Sequence, residues 1–240
     1  MTVLDQRHIL VTGGTSGIGR AIAVAMAESG AHITVTGLTD VEVAQFDAQG
    51  LPIDVRRLDV TDAQAIEKLI QSFQRLDAVI NCAGTILREG REHDPEQFEF
   101  VVRVNLLGTM RVCMASRPLL AASGGCVVNV ASMLSFFGSG RAPGYSASKG
   151  GVVQLTKSLA IAWAADKIRV NAIAPGWIET PLTKPLVDDP EIRQRIIDRT
   201  PLGRWGRPED VTGAVQFLCS PAAAFITGIV LPVDGGYLIV

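Results

Sequence analysis

The chain has 240 residues, of which 48 % are hydrophobic and 19 % charged, and its formal net charge is −2. This length and composition favour one folded α/β domain with a large buried core. No cluster of lysine and arginine is present that would follow a phosphate backbone, so we expect no nucleic-acid partner. The cysteines form no Cys-x-x-Cys pair, which predicts no metal site and free thiols, as in a cytoplasmic protein. No apolar run reaches the length of a membrane span, so we expect no membrane partner.

The first predicted strand leads directly into a glycine-rich loop. Residues 8–12 are apolar, the loop reads Gly13-Gly14-Thr15-Ser16-Gly17-Ile18-Gly19, and a helical pattern follows it as far as Gly30. Glycines let the backbone approach a pyrophosphate, and the N-terminus of a helix supplies amide donors. The spacing Gly-x-x-x-Gly-x-Gly departs from Gly-x-Gly-x-x-Gly, and a tight turn is the alternative. The position between a strand and a helix favours a dinucleotide site.

The end of the second predicted strand bears on the choice of coenzyme. Residues 32–36 form this strand, and Gly37 and Leu38 follow it, with Asp40 slightly further on. At this point an acidic residue would bind the adenosine ribose hydroxyls, and a basic residue nearby would accept a 2′-phosphate. Neither Gly37 nor Leu38 is charged, and the glycine loop carries Ser16 rather than a cation. The sequence therefore favours NAD over NADP.

Strands and helices alternate along the rest of the chain. Further strands are predicted at residues 55–60, 78–81, 125–130, 169–174 and 229–233. Helices are predicted to begin at Thr61 or Asp62, at Pro95 (one long helix), near Tyr145 and at Pro208. Residues 41–54 are weakly patterned, and residues 181–207, rich in proline and arginine, are a candidate substrate lid. The alternation predicts a Rossmann-type, doubly wound parallel sheet of about seven strands, flanked by helices, in a single domain over residues 1–240.

Tyr145 and Lys149 form a pair with a recognisable chemistry. In the predicted helix they occupy positions i and i+4 and so share one face. An ammonium about 5 Å away attracts a phenolate by about 3 kcal/mol at an effective dielectric of about 20, which lowers the tyrosine pKa by roughly 2 units. Tyr145 is therefore a candidate general acid/base. The alternative is an ordinary helix in which the tyrosine packs and the lysine is solvated.

Other candidates lie at strand ends and in loops. Ser132 follows the fifth predicted strand, at the edge of the sheet where α/β sites lie, but no histidine or aspartate is patterned to make it a nucleophile. Asn105 interrupts an apolar helix, and a buried amide there needs partners. The candidate walls of a substrate pocket, which are equally candidates for the core, are Met133, Leu134, Phe136, Phe137 and Trp177. The candidates for contact with a polar substrate are Arg88, Arg141 and Glu179.

Together these segments resemble the short-chain dehydrogenase/reductase family, in its single-domain branch, over essentially the whole chain. Residues 12–19 resemble the coenzyme loop of the family, and Asp59-Val60 resembles its adenine contact. Asn81-Cys82-Ala83-Gly84 is similar to its Asn-Asn-Ala-Gly turn, with cysteine in the second place. Pro175-Gly176 and Thr180 resemble the nicotinamide-side motif, and residues 233–237 the C-terminal signature. The residues that fall where the family has its catalytic tetrad are Asn105, Ser132, Tyr145 and Lys149.

The resemblance implies an NAD(P)-dependent oxidoreductase that transfers a hydride between nicotinamide and a small secondary alcohol or ketone. Tyr145 would be the general acid/base, Lys149 would hold the nicotinamide ribose and lower the pKa of Tyr145, and Ser132 would bind the substrate oxygen. Asn105 would position a water that links Lys149 to solvent. The implied coenzyme contacts are Gly13, Thr15, Ser16, Gly17, Ile18, Gly19, Leu38, Asp59, Val60, Asn81, Ala83, Gly84, Tyr145, Lys149, Pro175, Gly176, Ile178 and Thr180.

The resemblance also implies an assembly, and other functions stay open beside it. Family members commonly form tetramers by pairing two long helices, here about residues 95–122 and 145–165, so we expect a homotetramer or a homodimer. The alternative is that these helices are simply buried against the sheet. The rival functions are a non-catalytic coenzyme sensor, a sugar-nucleotide epimerase or dehydratase, and a 3-oxoacyl-carrier-protein reductase. The intact Ser-Tyr-Lys set disfavours the first, the short chain the second, and the lack of a concentrated basic patch the third.

Overall fold

In the computed structural model, which describes residues 4–240, seven parallel strands form one sheet. They are β1 (His8–Thr12), β2 (His32–Gly37), β3 (Ile53–Arg57), β4 (Ala78–Asn81), β5 (Cys126–Val130), β6 (Arg169–Pro175) and β7 (Val230–Val233). Their order across the sheet is β3-β2-β1-β4-β5-β6-β7. The predicted single-domain, doubly wound Rossmann-type fold is thereby confirmed. The first three residues of the predicted domain, 1–3, lie outside the described residues.

Helices connect successive strands. They are α1 (Gly17–Glu28), α2 (Asp40–Ala44), α3 (Ala63–Gln71), α4 (Pro95–Val102), α5 (Thr109–Ser123), α6 (Pro143–Ala162), α7 (Lys184–Val187), α8 (Pro190–Arg199) and α9 (Glu209–Cys219). Of the two predicted caps of α3, Asp62 is the one used, since its Oδ1 accepts hydrogen bonds from the amides of Gln64 (2.9 Å) and Ala65 (3.0 Å). A cap of this kind satisfies amides that have no partner inside the helix.

Three predicted segments differ in detail. The third strand begins at Ile53 and ends at Arg57 rather than spanning 55–60. The weakly patterned segment before it contains the short helix α2, which begins with a capping box. The long helix predicted from Pro95 is interrupted by a π-helical segment, Arg103–Gly108, that joins α4 to α5. Such segments are frequent at functional sites.

The core lies on both faces of the sheet. In β1, Ile9 and Val11 pack with α1 and α9, whereas Leu10 packs on the opposite face with α3, α5 and α6. Each is almost fully buried, and burial of such a side chain contributes about 1.5–3 kcal/mol. With both faces covered, the carboxyl edge stays open between β1 and β4, where the order of the strands reverses, and a ligand site is expected there.

Candidate active site

Two cavities meet at the carboxyl edge of the sheet. The switch-point cleft, about 580 Å³, lies beside the glycine loop and the ends of β1, β2 and β4. The arginine cavity, about 770 Å³, adjoins Ser132. It is named for the four arginines that line it, which are Arg88, Arg141, Arg195 and Arg199. Tyr145 and Leu182 line both cavities. A molecule in either cavity would therefore contact Tyr145.

The glycine loop is built to accept an anion. α1 begins at Gly17, and the hydroxyl of Ser16, the residue before it, makes no capping hydrogen bond within the described chain. The first turn of α1 contains no acidic residue, so its amide donors and partial positive charge face no carboxylate of their own turn. A Cβ on Gly13 would lie 2.7 Å from the Cα of Ala83, which leaves no room for a side chain where the loop meets the β4 turn. These residues fit the pyrophosphate of a dinucleotide.

The far end of the switch-point cleft is acidic. Glu42, which lines the cleft, accepts hydrogen bonds from the amides of Leu38 (2.6 Å) and Thr39 (3.2 Å). Asp59 also lines it and accepts from the amide of Thr61 (2.8 Å). The sequence analysis missed Glu42, although the pattern Thr-x-x-Glu of a capping box marks it.

A cation, Arg57, lies near the acidic end of the switch-point cleft and is not among the sequence candidates. Arg57 donates from Nε to the carbonyl of Leu38 (3.2 Å) and pairs with Asp40 (3.4 Å). Its side chain is exposed, and it is not part of the cleft lining. Pairing between adjacent parallel strands brings Arg57 opposite Gly37, a relation that no local sequence pattern reveals.

The backbone amide of Tyr145 donates a hydrogen bond to a buried carboxylate. Glu92, 1 % exposed, accepts hydrogen bonds from the amide of Tyr145 (2.8 Å) and from the amide of Leu87 (2.8 Å). It thereby joins the first turn of α6 to the loop after β4. Glu92 is not among the sequence candidates, because its contact with Tyr145 spans 53 residues of the chain.

The pKa of Tyr145 differs from the prediction. Burial raises it to about 12, and the nearby Ser132 hydroxyl opposes this without overcoming it. Lys149 is buried as well, which lowers the pKa of its ammonium to about 8. Its Nζ donates to the carbonyl of Val130 (2.7 Å) and lies 5.7 Å from the centre of the Tyr145 ring. The predicted lowering of the Tyr145 pKa by Lys149 is therefore wrong for this structure, because burial raises this pKa and Ser132, not Lys149, is the group that opposes the rise.

Asn105 lies in the π-helical segment and is fully buried. Its Oδ1 accepts from the amide of Thr85 (2.8 Å), and its Nδ2 donates to the carbonyl of Thr85 (2.9 Å) and to Ser148 Oγ (3.0 Å). A Cβ on Gly84 would lie 3.3 Å from Asn105 Oδ1 and 3.5 Å from Lys149 Nζ. Asn105 therefore fixes the turn after β4 next to the ammonium.

Most predicted coenzyme contacts converge on the switch-point cleft. Those that line it are Gly13, Thr15, Ser16, Gly17, Ile18, Gly19, Leu38, Asp59, Val60, Ala83, Gly84, Tyr145, Lys149 and Thr180. Four do not line it. Asn81 is buried in the sheet and donates to Asn129 Oδ1 (2.9 Å). Pro175 ends β6, Gly176 lines the arginine cavity, and Ile178 is buried in the core.

Some of the residues predicted on the substrate side line the arginine cavity, and others do not. Met133, Leu134 and Trp177 line the arginine cavity, together with Ser132, Arg88 and Arg141. Phe136 and Phe137 do not line it, and Phe137 packs in a small cluster behind it. Glu179 lies outside it and pairs with Arg193 (3.1 Å).

A family model described as "Enoyl-(Acyl carrier protein) reductase" matches residues 13–238, in line with the resemblance found in the sequence. The chain belongs to the short-chain dehydrogenase/reductase family. It is 42 % identical over 244 residues to a 2-dehydro-3-deoxy-D-gluconate 5-dehydrogenase of Bacillus subtilis, with 98 % of this chain and 96 % of the relative covered. It is 36 % identical to a 3-oxoacyl-[acyl-carrier-protein] reductase of Thermotoga maritima, covering 98 % and 99 %.

Solved structures of the family agree. A gluconate 5-dehydrogenase from Burkholderia cenocepacia, in complex with NADP and tartrate, superposes with a TM-score of 0.92 at 33 % identity, covering 98 % of this chain and 96 % of that one. This member of the short-chain family is thus an oxidoreductase that acts on hydroxyl or keto groups with a nicotinamide coenzyme. No helix in the described part of the chain combines the length and the apolar character needed to cross a bilayer.

Proposed function

We propose that this enzyme interconverts a small secondary alcohol and its ketone with Tyr145 as the general acid/base. The observation that carries the proposal is that Tyr145 lies where the switch-point cleft and the arginine cavity meet, with Ser132 on the substrate side. A coenzyme in one cavity and a substrate in the other would both be in reach of this side chain. Proximity and a positioned proton donor are most of what such a reaction needs.

The roles of the other tetrad residues follow from their contacts. Ser132 hydrogen-bonds the substrate oxygen, while Tyr145 gives or takes the proton at that oxygen. When bound, the nicotinamide ring donates or accepts the hydride. Lys149, whose pKa of about 8 lies near neutrality, holds the coenzyme ribose. Asn105 positions the turn at Gly84 and a water that connects Lys149 with solvent.

We also propose that NAD is preferred over NADP. Within residues 4–240, the charged side chains that line the switch-point cleft are Glu42, Asp59 and Lys149. The two carboxylates lie at the adenosine end, where they suit ribose hydroxyls and repel a 2′-phosphate. Arg57, the cation nearby, is already paired with Asp40. The Burkholderia neighbour contains NADP, so the proposed preference is argued from the residues of the present chain alone.

A second candidate is reduction of a 3-oxoacyl thioester on a carrier protein. This candidate is favoured by the similarity of the chain to the Thermotoga relative, which is named as a 3-oxoacyl-[acyl-carrier-protein] reductase. The Bacillus and Burkholderia relatives are instead named for gluconate chemistry, that is, for secondary hydroxyl and keto groups on free small molecules. Assays with polyhydroxy compounds and with a 3-oxoacyl thioester, run side by side, separate the two candidates.

The enzyme is further proposed to be a cytoplasmic homotetramer, with a homodimer as the alternative. Its four cysteines are free thiols, three of them buried, which suits a reducing compartment. Large apolar side chains are exposed on the helices expected to pair. They are Phe100 on α4, which also lines the switch-point cleft, Leu107 in the π-helical segment, Met114 on α5 and Ile161 on α6. Exposed apolar residues on neighbouring turns are typical of subunit interfaces. We propose one domain over residues 1–240.

The experiment that tests the catalytic proposal is the Tyr145→Phe variant. It removes only the hydroxyl, so we expect kcat to fall by about 10²–10⁴-fold while the Kd for reduced coenzyme, measured by nicotinamide fluorescence, changes less than about threefold. Retained coenzyme binding shows that the variant is folded. Turnover close to that of the native enzyme would exclude Tyr145 as the acid/base.

A further inference from the structure

The arginine cavity carries an excess of positive charge beside the reacting groups. Its arginines are Arg88, Arg141, Arg195 and Arg199, and Glu89 is the one carboxylate among its described lining residues. None of these arginines takes part in an ion pair with any residue of the described chain. Four cations lining one cavity raise its potential and attract anions.

The arginines of α8 differ in whether they form an ion pair. Arg193 on α8 pairs with Glu179 (3.1 Å), and both residues lie outside the cavity. Arg195 and Arg199, further along α8, line the cavity and remain unpaired within residues 4–240. The side of α8 that faces the cavity is therefore the one left without carboxylates.

Arg88 is the arginine held deepest. It is half-buried, and desolvation lowers the pKa of its guanidinium, whereas the other three arginines are exposed. Its Nη2 donates to the carbonyl of Leu182, a residue that lines both cavities. A guanidinium has five N–H donors in a planar fork, so most of its donors remain for a ligand. A partly desolvated cation without a carboxylate is costly, and an anionic ligand would remove that cost.

Arg199 is held by aromatic rings and by two hydrogen bonds. Its guanidinium lies 4.2 Å from the centre of the Tyr237 ring and 5.5 Å from that of Phe137. It also donates to Tyr237 Oη (3.3 Å) and to the backbone oxygen of Val240 (3.2 Å). Contacts with ring faces orient a cation without neutralising it. Arg199 is thus held in place at the cavity without an ion pair to an aspartate or glutamate of the described chain.

We propose that the substrate is a carboxylate, a hydroxy acid or an oxo acid, whose carboxylate is bound by Arg88. Arg141, Arg195 and Arg199 supply the surrounding positive potential. The inference rests on the proposed function, because it takes the arginine cavity as the site where substrate meets Tyr145 and Ser132. A planar guanidinium matches a carboxylate in two parallel hydrogen bonds, which would set the distance between the acid group and the reacting carbon.

Matched pairs of acids and neutral amides test this recognition without turnover. Gluconate with gluconamide, and 3-hydroxybutyrate with 3-hydroxybutyramide, are titrated by calorimetry into enzyme saturated with reduced coenzyme, which cannot oxidise them. We expect at least one acid to bind 10- to 100-fold more tightly than its amide, the range for a charge-assisted pair. The difference should shrink at high salt, because ionic strength screens the cavity charges.

Variants then locate the contact. Arg88→Gln should lower the affinity for the acid at least tenfold and leave that for the amide unchanged, and Arg88→Lys should lose less. Arg91→Gln is the control, because Arg91 is exposed, bonds Gln97 and does not line the cavity. The Kd for reduced coenzyme should be the same in all three variants, which verifies their folding.

The outcomes separate this proposal from the proposed function. If no acid binds better than its amide, or if Arg88→Gln weakens acid and amide equally, the carboxylate assignment is wrong. Coenzyme-dependent oxidation of neutral secondary alcohols by the native enzyme would in that case still support the role of Tyr145. Selective binding of acids without any turnover of acids or alcohols would instead uphold the anion site and remove the proposed catalysis.

Discussion

At the scale of single residues, environment decides the chemistry of Tyr145 and Lys149. Their i, i+4 spacing is visible in the sequence and places both on one face of α6, as predicted. The sequence does not show how strongly each is desolvated. Burial shifts both pKa values toward the neutral forms, to about 12 for the phenol and about 8 for the ammonium. A charge pair estimated from spacing alone leaves out this larger effect.

The proposed preference for NAD also depends on individual side chains. Leu38 lies at the tip of β2, half exposed and next to Glu42. Leu38→Arg would place a guanidinium where a 2′-phosphate would lie, so we expect the Kd for NADPH to fall at least tenfold while that for NADH changes little.

Leu38→Met is the matched control, since it keeps a neutral side chain of similar length. Fluorescence titration of each variant with NADH and NADPH gives the four constants needed. A native enzyme that already binds NADPH more tightly than NADH would contradict the proposed preference.

At the scale of elements, the start of α6 depends on a contact from another segment. The sequence predicts the helix and its residues, but the amide of Tyr145 is satisfied by Glu92, which lies just after the β4 loop. The same carboxylate accepts from Leu87, the neighbour of Arg88. Glu92 therefore links Tyr145, the proposed acid/base, to the wall of the arginine cavity, and we propose that it acts as a positioning residue.

Replacing Glu92 tests this coupling. A glutamine has one carbonyl oxygen for two amide donors, so Glu92→Gln should cost about 1–3 kcal/mol and lower Tm by several degrees. Because the Glu92 carboxylate raises the pKa of Tyr145, its removal should also move the limb of the kcat–pH profile that reports Tyr145 to lower pH.

Glu96→Gln serves as the control, because Glu96 is exposed in the first turn of α4. Its Tm and pH profile should stay close to those of the native enzyme. A Glu92→Gln variant that loses stability but keeps the native pH profile would show a structural role alone.

At the scale of the whole molecule, the sheet positions the loops that form the two cavities. The proposed assembly of subunits would cover the exposed faces of α4, α5 and α6. Reversal of the strand order between β1 and β4 opens the switch-point cleft, and the segment from α7 to α8 closes the arginine cavity beside it. The outer faces of α4, α5 and α6 retain exposed apolar side chains. Exposed apolar faces of this kind are typical of sites that bind another protein surface.

The double variant Leu107→Glu and Met114→Glu tests the pairing of these helices. Two carboxylates buried face to face without partners would cost several kcal/mol, so we expect the assembly to dissociate to the 25.5 kDa chain. Analytical ultracentrifugation measures the species present. Val41→Glu, an exposed apolar position on α2, is the control and should leave the assembly intact. A native enzyme that sediments only as a monomer would refute the proposed tetramer.

The sequence by itself determined the succession of strands and helices along the chain and the glycine loop. These depend on local patterns, since periodicity, caps and turn residues act over a few positions. The proposed tetrad came from the resemblance of the sequence to the family. The tertiary structure decided which further groups surround them. Tyr145 meets Glu92 across 53 residues, and Arg88 meets the Leu182 carbonyl across 94. Desolvation and hydrogen bonds between such distant segments arise only when the chain packs, so no local pattern contains them.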